Sequence, residues 1–116
     1  MSPFIHAKSS VQKWGGKVED YLEIHKFLDS TKLHLTGWQH RAILHNTFGV
    51  GLCEQLFGDV VTNSDGKEVE VRYVAIQHIT EDCGRVPTIQ EWLVGLPQKR
   101  FSVNLNKKSE PCLKNL

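Results

Sequence analysis

"EIHKFLDSTK", residues 23–32, decides the fold class. Its spacing is that of the last turns of an amphipathic helix. His25 and Asp29 stand four residues apart, which sets them on one face. Tyr21, Leu22 and Leu28 share that face, the side a helix buries. A histidine and a carboxylate turned toward a core fit three arrangements: a structural hydrogen-bonded pair, a metal site, or a pocket for an anionic ligand.

Working outward, residues 1–16 are polar and end in "WGG", where the glycine pair turns the chain into a helix over about 17–31. Thr36 is a plausible N-cap for a second helix running to about Phe57. On it Trp38, Ala42, His45, Gly49, Leu52 and Leu56 fall near one stripe. Gly49 and Gly51 cost helix propensity, which points to close backbone approach or room for a ligand. The period then changes. Val60 and Val61, then Val69, Val71 and Tyr73, flank "NSDG", a hairpin turn signal. "YVAIQHITEDCG" returns to helical spacing and stops at Gly84, the position glycine favours after a helix. A short last helix is capped by Thr88 and closed by Gly95 and Pro97. The sequence thus predicts a mainly α protein, a small helical bundle with one short two-stranded β-hairpin near 59–73. Residues 1–103 form one domain, and 104–116 form a basic, irregular tail.

Composition narrows the function. The chain has 116 residues, enough to bury a core without disulfides or structural metal. No apolar run approaches the roughly 18 residues of a membrane span, and "MSPFIHAKSS" lacks a secretory h-region. A cytoplasmic protein is expected, and self-association stays open. Three cysteines and no CxxC argue against a disulfide framework or a zinc ribbon. Cys53 reads as a buried, reduced thiol. The net charge of +1 divides into +4 over residues 97–116 and −3 over the rest. A basic tail suits an anionic surface or plain solvation, but the body has no basic helix face for nucleic acid.

His78 and Asp82 repeat the opening pattern, four apart on a helix beside Ala75 and Ile79. The long helix between these pairs carries His45 and Arg41, again four apart. Packed as a bundle, two His-x3-Asp pairs and a central histidine converge. His25, Asp29, His45, His78 and Asp82 then form a candidate site for a divalent transition metal, with Arg41 at its mouth. Imidazole and carboxylate donors suit zinc, iron or manganese. The alternative is a set of hydrogen-bonded couples in which each carboxylate fixes an imidazole tautomer.

"LDSTK" resembles the Asp-x-x-Lys part of the HD-x-G-K motif of HD-domain phosphohydrolases, which are helical and metal-dependent. The match ends at Leu28, where that motif has histidine, so only a helical His/Asp metal site carries over. A longer resemblance spans most of the chain. "HAKSSVQKWGGKVEDYLEIHKFLDSTK", "QHRAILHNTFGVGLCEQLFG" and "TNSDGKEVEVRYVAIQHITEDCGRVPTIQEWL" are similar to a family of small uncharacterised bacterial and phage proteins. That family more often has arginine where this chain has Gln39. It transfers no activity; a phage origin would bring counter-defence roles into consideration.

The first segment suggests different chemistry. "HAKSSVQKWGGK" gathers His6, Lys8, Ser10, Trp14 and Lys17. Hydroxyls, ammonium groups and bare glycine backbone suit phosphate, and Trp14 offers a stacking face for a base. There is no GxxxxGK[ST] spacing, so it is not a P-loop. With His40, Arg41, Arg72 and Arg85 it makes a possible anion pocket, because arginine forks bind phosphate bidentately. Three functions follow: a binder of a nucleotide-like anion, sequestering a signal or blocking a defence protein; a metal-dependent phosphoester hydrolase; or a protein-partner module with structural histidines.

Overall fold

The computed structural model describes residues 1–94. Pro3–Trp14 is a helix, α1, although its sequence reads as a polar segment. Ser2 accepts the Ile5 N–H, and Pro3 sits in the first turn, where its missing N–H costs nothing. Its buried face consists of His6, Ala7 and Ser10, so it shows little apolar periodicity. Gly15 and Gly16, at φ of 83° and 79°, then reverse the chain.

The predicted helix over 17–31 is shorter and broken: a 3-10 turn at Val18–Asp20, α2 at Leu22–Leu28, and a second 3-10 turn at Ser30–Leu33. Tyr21, Ile24, His25 and Leu28 are buried along it, while Leu22 is half-buried. The long helix expected over 36–57 is also divided. A 3-10 turn at Gly37–His40 runs into α3, Arg41–Leu44, and α4 restarts at Thr47–Phe57. Asn46 makes the break, its side chain accepting from the Gly49 N–H as an N-cap. Gly49 is required there, because a Cβ would lie 1.7 Å from the Leu44 carbonyl oxygen.

Strands β1, Val60–Thr62, and β2, Glu68–Glu70, pair antiparallel, with Val61 opposite Val69. The ribbon is shorter than 59–73, because Val71 and Tyr73 already belong to α5, Val71–Cys83. The last helix of the described residues, α6, spans Ile89–Val94, with Thr88 accepting from the Glu91 N–H. Gly95, Pro97 and the 104–116 tail lie outside the described residues. No helix among the described residues is long and apolar enough to cross a membrane.

The architecture is mainly α with one two-stranded hairpin. Helix α5 is central, packing against α1, α2 and α4. Val71, Val74, Ala75 and Ile79 of α5 are fully buried, as are Ala7, Tyr21, Leu28 and Cys53 from its neighbours. Cys53 is a free thiol that burial pushes up to about 12, which leaves it inert. The core is apolar toward the hairpin. Its other half holds His6, His25, His45 and His78, none of them exposed to solvent.

Candidate metal centre

Three helical segments deliver the central donors. Asp29 ends α2, His45 follows α3 at the break before α4, and His78 and Asp82 share one face of α5. His78 Nε2 lies 3.2 Å from Asp29 Oδ1 and 3.4 Å from Asp82 Oδ2. His45 Nε2 lies 2.9 Å from Asp82 Oδ2 and 3.8 Å from Asp29 Oδ1. One donor atom from each of the four falls within 4.8 Å of every other. A tetrahedral metal with bonds of about 2.0–2.2 Å sets its donors about 3.3–3.6 Å apart. The observed separations straddle that spacing.

Electrostatics separate the members. Burial opposes ionisation of Asp82, but contacts from His45, His6 and His78 outweigh it and hold the carboxyl far below its ordinary range. Asp29 is also held low: burial opposes ionisation, and the His78 contact overcomes it. His78 goes up, because the two carboxylates outweigh the burial that favours its neutral form. Burial, aided by the charge of His78, takes His45 down against the pull of Asp82. His25 is pushed down to about 3, first by burial and then by the neighbouring His78 and His6. Of the two histidines in the donor set, His45 leans neutral, ready to ligate, whereas His78 holds its proton against the carboxylates and must shed it to a metal.

His25 belongs to the cluster but not to the four-donor set. Its Nδ1 lies 2.9 Å from His78 Nδ1, and its Nε2 lies 2.8 Å from Ser10 Oγ. His6, grouped by sequence with an anion pocket, is instead a wall of this centre. Its ring stacks on His78 at 3.7 Å, its Nδ1 lies 2.7 Å from Glu81 Oε1, and its Nε2 lies 3.3 Å from Asp82 Oδ1, out of hydrogen-bonding alignment. Arg41 stands at the edge, partly exposed. Nη1 donates to the Asp82 carbonyl oxygen and Nη2 lies 3.8 Å from Asp82 Oδ1. His40 is buried beside His45, ring edge to ring face at 5.5 Å, and its carbonyl accepts from Thr31.

The structure does not bring the other sequence-selected residues together. Ser10 is buried in the histidine cluster, whereas Lys8 and Lys17 are exposed. Trp14, Arg72 and Arg85 line three different hollows. Arg85 is engaged by Glu91. The glycine backbone is also committed. Gly15 N–H donates to Val11, and Gly16 N–H donates to Asp65. Trp38, placed on the second helix's stripe, is exposed and stacks on Trp92 at 6.3 Å.

Sequence reading missed Glu81, Gln77 and the role of Ser10. The available signal was the four-residue spacing of His6 with Ser10 and of Gln77 with Glu81, the same interval that marks His25–Asp29 and His78–Asp82.

Fold and site together define a small, mainly α protein with a buried histidine–aspartate centre. The chain belongs to the domain family of unknown function DUF6915, whose model matches residues 1–102. No curated protein and no solved structure matches it.

Proposed function

We propose that this protein binds one divalent transition metal through Asp29, His45, His78 and Asp82. The observation that carries this is the convergence of four buried N and O donors from three segments at metal-like spacing. A second observation supports it. The buried side-chain atoms without a hydrogen-bond partner among the described residues are His6 Nε2, Asp29 Oδ2, Arg41 Nε and His45 Nδ1. All lie in or beside this cluster. Buried polar groups are normally satisfied, and the orphaned acceptor Asp29 Oδ2, on a residue of the donor set, suits a cation. Zinc, iron and manganese match the donor set. The free thiols Cys53 and Cys83 fit a reducing, cytoplasmic setting.

A phosphoester hydrolase is the favoured chemistry for such a centre, because two cations border it. Lys32 Nζ lies 3.7 Å from Asp29 Oδ2 and is half exposed, and Arg41 flanks Asp82. They would hold the phosphate oxygens and offset their charge. A metal in the site would lower the pKa of a bound water and so supply the nucleophile. The nucleotide-binder reading has less support, because its residues divide among separate hollows. Calorimetric titration of the metal-stripped chain with Zn²⁺, Mn²⁺ and Fe²⁺ tests the site. Hydrolysis of a chromogenic phosphodiester by the loaded protein tests the chemistry. Binding at one ion per chain is expected, with turnover that falls in Arg41→Gln. Absence of uptake of all three ions would remove the proposal.

A further inference from the structure

We infer that Glu81, Gln77, Ser10 and His25 form a one-way hydrogen-bond relay that holds a proton on His78 Nδ1 and so reserves Nε2, which faces Asp29 and Asp82, as the metal-binding nitrogen. This rests on the metal-site reading above and names the positioning residues behind it. The direction follows from counting protons.

Gln77 Nε2 lies 2.8 Å from Glu81 Oε1 and 3.0 Å from the His6 carbonyl oxygen. An ionised carboxylate and a carbonyl only accept. The His6 carbonyl alone fixes the amide, because it has no proton to give. The amide nitrogen must therefore face these two oxygens, and Gln77 Oε1 must face the other way. There it lies 2.6 Å from Ser10 Oγ.

Ser10 has one hydroxyl proton and three groups in reach: Gln77 Oε1 at 2.6 Å, His25 Nε2 at 2.8 Å and the His6 carbonyl at 3.2 Å. The shortest contact is to the amide oxygen, which cannot donate, so the proton goes there. His25 Nε2 must then donate to Ser10 Oγ. A neutral imidazole carries one proton, so His25 Nδ1 is bare. The facing His78 Nδ1, 2.9 Å away, supplies the proton between them. With Nδ1 committed to His25, Nε2 is the nitrogen His78 can offer a metal in the space it shares with His45, Asp29 and Asp82.

Reversing the relay would have the opposite effect. With its proton on Nδ1, His25 would force the His78 proton onto Nε2, where it would block a metal. Ligating histidines commonly gain their orientation from such partners, and losing one typically weakens metal binding 10- to 100-fold. Ser10 is the pivot, because it accepts from His25 while donating to Gln77.

The test uses the full chain as wild type, Ser10→Ala and Ser10→Thr. Two-bond ¹⁵N–¹H correlation of the metal-free wild type reports the His25 tautomer, and competition with a chromogenic chelator reports zinc affinity. The relay predicts a proton on His25 Nε2. It predicts at least tenfold weaker zinc binding in Ser10→Ala and recovery in Ser10→Thr, which keeps the hydroxyl. A His25 proton on Nδ1 in the wild type would overturn the relay whatever zinc does. So would undiminished zinc affinity in a folded Ser10→Ala. Absence of zinc uptake by the wild type, with His25 protonated on Nε2, would instead overturn the metal site. The two inferences therefore fail separately.

Discussion

Two polar networks tie the N-terminal helix to later parts of the chain, and they are built to opposite rules. The first surrounds the hairpin turn. Asn63 Nδ2 donates to the Trp14 carbonyl and to Tyr21 Oη, while its Oδ1 accepts from the Asp65 and Lys67 amides. Asp20 accepts from the Lys17 and Ser64 amides and the Ser64 hydroxyl, and Tyr21 donates to Gly15. None of these atoms is left without a partner. The second network is the histidine centre, where the orphaned atoms collect. A saturated buried network specifies a fold; an unsaturated one is costly unless something fills it. The turn network therefore reads as structure, and the unsatisfied atoms of the histidine centre support the proposed metal site.

The largest expected effect breaks the centre through the backbone. Gly49→Ala would drive a Cβ into the Leu44 carbonyl and shift the segment that presents His45. A loss of about 4 kcal/mol or more is expected, in the range reserved for severe steric conflict, together with loss of metal binding. Gly51, where a Cβ meets open space, is the control. Gly51→Ala should gain up to about 1 kcal/mol of helix propensity. Urea unfolding of both variants checks the pair.

Acid should distinguish the networks next. His25 is held neutral with a folded pKa of about 3, below its unfolded value of 6.5. As pH falls below 6.5, the unfolded chain takes up a proton that the folded chain refuses, so stability falls. This linkage amounts to about 3 kcal/mol between pH 7 and pH 4 from His25 alone. His45, also held down, adds to the loss, whereas His78, held up, opposes it. The turn network has no group titrating in that window. Burial opposes ionisation of Asp20, but its bonds to Lys17 and Ser64 hold it below 3.8, so its contribution is lost only at lower pH. Denaturant melts across pH 7 to 4 should show the decline. His25→Gln should flatten it, and an equally steep decline there would break the contrast.

Making the saturated network unsaturated gives a smaller effect. Asn63→Ala strands the Trp14 carbonyl, leaves the Tyr21 hydroxyl with Gly15 alone and removes the cap on the Asp65 and Lys67 amides. About 2–3 kcal/mol should be lost, with zinc affinity unchanged. The smallest effect is at the rim. Lys32→Ala removes a half-exposed, solvent-screened contact to Asp29 and should change stability by about 0.5 kcal/mol or less. Turnover of an anionic phosphodiester should nonetheless fall.

Much of this contrast was legible in the sequence. The hairpin announced itself through "NSDG", and the inward His/Asp faces through their four-residue spacing. Helix α1 was not legible as a helix, because its buried face is His6, Ala7 and Ser10. Its only clear signals were Ser2–Pro3 at the start and the glycine pair at the end. The break in the long helix was hidden for a related reason. The stripe of Trp38, Ala42, His45, Gly49, Leu52 and Leu56 continues across it, and only the capping chemistry of Asn46 with Gly49 marks the interruption. His6 was grouped with an anion pocket because its segment reads only as polar. Wound into α1, it stacks on His78.

The most direct test is elemental analysis of the purified 116-residue chain, beside His78→Gln and Asp82→Asn shown by circular dichroism to be folded. One zinc, iron or manganese ion per wild-type chain, absent from both variants, is the predicted result. A folded wild type that holds no transition metal, and takes none up after stripping and reloading, would contradict the account. The histidine centre would then be a closed hydrogen-bond network.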